Sequence, residues 1–149
     1  MPPRFFKSFL IYYIPIVLVG TLVMLLPITQ PTPIDFSDDT TKKIFQITSV
    51  CVIGPFIETV ILVLPTTIIS RIFPHKLIIA AFLGSLLVTG LHWHLGWTKI
   101  LIVCWGFFWS SYWYLMIKDN REFTKHPFLQ VFGLHSLGNT ITTLFILID

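Results

Sequence analysis

Phe132-Gly133-Leu134-His135-Ser136-Leu137-Gly138-Asn139-Thr140 sets two reactive side chains, His135 and Asn139, four residues apart inside an apolar run. On a helix that spacing stacks them on one face, so both address a single small volume. The run around them, residues 128–148, has the length that a membrane-crossing helix needs, about 20 residues. Polar and ionisable groups are costly in hydrocarbon and require partners. The sequence offers Glu58, His92 and His94, all three in other apolar runs.

Working outward, the composition fits that setting. The chain has 149 residues, 54% apolar and 11% charged, whereas a soluble domain carries about a quarter charged residues. Too few charges are present to cover a water-facing surface, and a polytopic membrane protein is expected. The net charge of +3 comes from ten basic residues spread over short connections. That pattern orients helices in a bilayer and makes no phosphate-binding patch, which excludes nucleic acid as a partner. Cys51 and Cys104 lie within apolar runs, where a free cysteine behaves as a small hydrophobe.

Five apolar runs are predicted to be helices: residues 8–26, 44–69, 77–96, 100–117 and 128–148. Arg4 and Lys7 before the first imitate a signal peptide, but the run is too long and lacks a small-residue cleavage pattern, so it reads as a retained anchor. Residues 27–43, rich in Pro and Thr, form a loop. Pro127 suits the first position of the last helix. The chain reads as one transmembrane domain, 1–149, with an anchor helix and loop over 1–43 and a core over 44–149. Arg4, Lys7, Arg71, Lys76, Lys118, Arg121 and Lys125 fall on one side of this map, and Lys42, Lys43 and Lys99 on the other. The positive-inside rule then puts the N-terminus in the cytoplasm and the C-terminus outside. Short loops suggest a prokaryotic inner membrane.

Glu58 is the only acidic residue in any apolar run. It follows Gly54-Pro55, where the proline removes a backbone donor and loosens the helix. In the third run, His92 and His94 cannot both face one centre unless the helix ends there. His92 is the better partner, although counting at 1.5 Å per residue puts it on the order of 10 Å deeper than Glu58 or His135. Gly84, Gly90, Gly133 and Gly138 read as places for close helix packing, and the aromatic cluster from Trp105 to Tyr114 as packing and interfacial anchoring. If Glu58, His92, His135 and Asn139 converge, the carboxylate and an imidazole can activate a water. The amide and the second imidazole can then donate to an oxyanion. A Glu and two His, here Glu58, His92 and His135, are equally a common catalytic zinc set, and the sequence leaves the metal-free and metal versions open.

These residues resemble the motifs of the CAAX prenyl protease and bacteriocin-processing (CPBP) intramembrane proteases, which include the abortive-infection-like proteins. Gly54-Pro55-Phe56-Ile57-Glu58 looks like the approach to their first motif, Leu91-His92-Trp93-His94-Leu95-Gly96 like the second, and His135-Ser136-Leu137-Gly138-Asn139 matches the third. The similarity covers about residues 52–143. It implies an all-α membrane bundle with a four-helix core and an endopeptidase acting on a hydrophobic peptide, prenylated or of bacteriocin type. Its catalytic residues would be Glu58, His92, His135 and Asn139, and its partners that peptide and the surrounding lipid. Thr59 and Val63 stand where the family has its second Glu and its Arg, and Val88 where it has a Phe. Those departures support an alternative, an inactive relative that acts as an immunity or binding protein. A proton- or ion-coupled carrier is disfavoured because the chain shows no repeated halves.

Overall fold

The computed structural model describes residues 36–93, 97–118 and 125–148, together with Leu10, Ile11, Ile14, Pro15 and Leu18. Over these residues the chain is all-α. Four helices are present among them: α1, Thr40–Ile72; α2, Leu77–Leu91; α3, Trp97–Lys118; and α4, Pro127–Ile148. Two stretches, Thr40–Ile72 and Ile100–Lys118, are long and apolar enough to cross a membrane. The last four expected runs are thus all helical. Most of the first, residues 27–35 of the loop after it, His94 and the segment around Arg121 lie outside the described residues. The expected loop is corrected at its end, where residues 40–43 already form the first turn of α1 under the Asp39 cap.

The N-terminus of α1 is capped by the Asp39 carboxylate, which accepts from the Lys42 amide at 3.0 Å and satisfies a donor that the helix leaves open. Pro55 then disturbs the middle of α1. It lacks an N–H, so the carbonyl four residues back, that of Cys51, loses its α-helical donor. The helix responds with a π-helical turn, Ser49–Ile53, in which the Gly54 amide donates to Ser49. With the Gly54 amide given to Ser49, the Val50 carbonyl loses its own α-helical donor as well. Helix α4 supplies both missing donors. The Ser136 hydroxyl donates to the Cys51 carbonyl, and the Asn139 amide to the Val50 carbonyl at 3.0 Å. Cys51 adds a contact to Thr143, 3.5 Å from sulfur to oxygen.

Pro15 repeats the device at the N-terminal segment. It removes the donor for the Ile11 carbonyl, and the Trp109 indole N–H donates to that oxygen at 3.2 Å. Trp105, one turn earlier on α3, donates to the Pro15 carbonyl at 2.9 Å. The ascending tryptophans meet descending carbonyls, so the segment runs antiparallel to α3. The aromatic cluster therefore packs as expected and also satisfies backbone.

Helices α1 and α2 form an antiparallel hairpin, and α2 packs chiefly against α3 and α1. The buried face of α2 is built of small residues, Ala80, Ala81, Gly84 and Ser85, which lets backbones approach. Gly84 is obligatory, because a Cβ there would strike Thr66 on α1; the Thr66 hydroxyl in turn lies 3.2 Å from that of Ser111 on α3. Gly90 and Gly133 do not share that role, since a Cβ at either would meet open space. Leu62, Val88 and Phe107 form one buried cluster where α1, α2 and α3 meet. Trp113, Ile117, Val131 and Leu134 form another between α3 and α4. Outward faces are apolar as well: Phe45, Leu64, Ile72, Ile78 and Leu87 are each more than half exposed.

Ser136→Ala removes the Cys51 partner and is expected to cost about 1 kcal/mol, the usual penalty for an orphaned buried acceptor. Pro55→Ala restores a backbone donor. In that background the Ser136→Ala cost falls close to zero, as a double-mutant cycle of unfolding in detergent would show.

Candidate functional site

Pro55 also governs the carboxylate, because Glu58 lies one turn beyond it on α1. Its side chain is about a quarter exposed and stands between two imidazoles. The His92 Nε2 is 3.4 Å from Oε1, and the His135 Nε2 is 3.3 Å from Oε2. Both rings are about one-fifth exposed. Three of the four expected site residues therefore come together.

The expected depth mismatch for His92 disappears, and the helix lengths explain why. From Glu58 to the end of α1 at Ile72, and from Leu77 to Leu91 in the 15-residue α2, the hairpin arms are equal. Antiparallel arms of equal rise bring residues 58 and 92 to one level. Helix α2 also stops earlier than residue 96, with His92 as its cap. There the His92 amide turns to the Thr89 carbonyl, 2.9 Å away. That tightening leaves the Val88 carbonyl without its usual donor, and the His92 ring takes it, with Nδ1 3.0 Å from the oxygen.

This contact fixes the proton on His92. A carbonyl only accepts, so Nδ1 carries a hydrogen, and Nε2 of the neutral ring is an acceptor facing another acceptor, Glu58 Oε1. Nε2 is thus the atom through which His92 meets Glu58. Both contacts are longer than the roughly 2.7–2.9 Å of a charge-assisted hydrogen bond, so the three side chains are gathered without being clamped.

Asn139, one turn beyond His135 on α4, has a backbone partner on α1. Its amide is committed to the Val50 carbonyl, and it reaches the site through the shape of α1. Ser136 has the same standing, and nothing in a one-dimensional reading singles it out, because its partner is 85 residues away. Phe107 on α3 was likewise hidden among the aromatics. Its buried ring lies 5.3 Å from the His92 ring and 5.9 Å from the His135 ring, edge to face. Thr59, at the position of a second carboxylate in the resembling motif, is buried and donates to the Pro55 carbonyl at 2.6 Å.

The donor set was also expected to suit a zinc ion held by Glu58, His92 and His135. As the side chains stand, each imidazole faces its own carboxylate oxygen. Among the described residues no three His, Cys, Asp or Glu side chains are gathered to hold a metal. No family model, curated protein or solved structure matches the chain. The chemistry is accordingly read from the cluster itself.

Asn139→Ala is expected to lower stability by about 1 kcal/mol through the orphaned Val50 carbonyl. Asn139→Gln, too long to hold the same oxygen, gives a similar loss in thermal unfolding.

Proposed function

We propose that this chain is an integral membrane hydrolase that cleaves a peptide bond in a hydrophobic or lipid-modified peptide, with Glu58 as the base. The observation that carries the reading is the carboxylate set between two imidazoles in a bundle with apolar outward faces. Apolar surface around a bundle is what lipid covers, and ionisable groups inside such a bundle mark function. The basic residues at the α1–α2 turn and at the α3–α4 connection favour the cytoplasm for that end, in a prokaryotic inner membrane. Order and spacing of the quoted motifs support kinship with the CPBP proteases.

In this reading a water between the helices gives a proton to the Glu58–His92 pair as its oxygen attacks the peptide carbonyl carbon. The His135 N–H donates to the oxyanion that forms. When the C–N bond breaks, the leaving amine takes the proton back from His92 Nε2, and the pair returns to its one-proton state. The proton count closes without another reactant. Before the attack, in this reading, Glu58 and His92 share one proton.

Thr59 favours a second reading. Closed onto the backbone, it gives Glu58 no bracing carboxylate, as in a relative that binds a membrane peptide or confers immunity without cleaving. Glu58→Gln separates the two. The hydrolase loses cleavage of hydrophobic test peptides by at least about a hundredfold, as general-base removal does, whereas a binding protein keeps its peptide affinity and shows no cleavage in either form. Metal dependence is tested on the same peptides. Cleavage that survives chelation, with no stoichiometric metal in the purified protein, supports the proton-sharing pair, and cleavage restored only by zinc moves the role to a metal at Glu58, His92 and His135.

A further inference from the structure

We propose that Phe107 is a positioning residue that holds both imidazoles against Glu58. Among the described residues, α3 supplies the one ring that packs against both histidines. The Phe107 centroid lies 5.3 Å from His92, with the planes at 49°, and 5.9 Å from His135, at 78°. The second arrangement is the edge-to-face geometry that aromatic rings prefer.

What lies behind the ring makes it a rigid wedge. Phe107 is buried in one cluster with Leu62 and Val88. Leu62 is one turn beyond Glu58 on α1, and Val88 is the residue whose carbonyl fixes the His92 ring. The phenyl group is thus keyed to side chains of both α1 and α2 while it packs against the two imidazoles. A leucine fills much of that volume without a flat face, and either imidazole then gains a rotamer that leaves the carboxylate.

The test uses the full chain, labelled with [15N]histidine, in detergent micelles, with the two signals assigned by His92→Asn and His135→Asn. In Phe107→Leu the side-chain nitrogen signals of both His92 and His135 shift. In Phe107→Tyr, which keeps the ring, they stay near the parent positions. Val103 packs on the same cluster, and Val103→Ala is the control for lost packing; it lowers thermal stability and leaves both signals in place. Unchanged signals in Phe107→Leu, equal shifts in Val103→Ala, or a tyrosine variant that behaves like leucine would each overturn the proposal.

Only the rate arm rests on the hydrolase reading: there Phe107→Leu lowers kcat about a hundredfold, the cost of displacing a reacting group by about 1 Å. Shifts in both histidine signals with no cleavage by the parent protein would sink the hydrolase reading and leave the positioning role standing.

Discussion

A carbonyl that loses its helical donor among apolar side chains has to find another, and this bundle is assembled around that constraint. An unsatisfied backbone group away from water costs about 1–3 kcal/mol. Pro55 creates two such groups, and Ser136 and Asn139, one turn apart on α4, answer both. The same pair of bonds sets the register of α4 on α1. Since His135 directly precedes Ser136, fixing that register also brings its imidazole to Glu58. Pro15 and the two tryptophans join the N-terminal segment to α3 by the same logic. Prolines here weld helices together by way of the carbonyls they release.

The electrostatics of the site follow from the same economy. A lone carboxylate among apolar residues would bear a desolvation penalty of several kcal/mol. Each oxygen of Glu58 instead has an imidazole beside it. The end of α2 contributes by releasing the Val88 carbonyl, which imposes the tautomer of His92. Backbone defects at Pro55 and at the α2 terminus therefore shape two of the three members of the site. Position and protonation share a cause.

Much of this was legible in one dimension. Apolar runs with basic flanks located α1 to α4, and the four-residue spacing of His135 and Asn139 put both on the face of α4 that meets α1. Glu58, as the only acid in an apolar run, pointed to the centre of the site. Other features depend on pairings that no local pattern encodes. Ser136 looks like an ordinary small residue until Pro55, far away in sequence, is seen to have removed a donor. Phe107 is one aromatic among many on α3, and only the crossing of three helices singles it out. Asn139 has a partner that spacing does not reveal, because its amide reaches the freed carbonyl of Val50. The depth of His92 was misjudged because the second run was ended at residue 69, whereas α1 continues to Ile72 and so matches the length of the returning arm.

The account stands on Glu58 lying between two histidine rings. Solid-state NMR in lipid bilayers measures this through 13C–15N dipolar dephasing between the glutamate carboxyl carbon and histidine side-chain nitrogens. Glu122→Gln makes Glu58 the only glutamate, so the carbon signal has one source. The prediction is strong dephasing from two imidazoles, reduced by His92→Asn and again by His135→Asn. A carboxyl carbon with no histidine nitrogen close enough to dephase it would contradict the account.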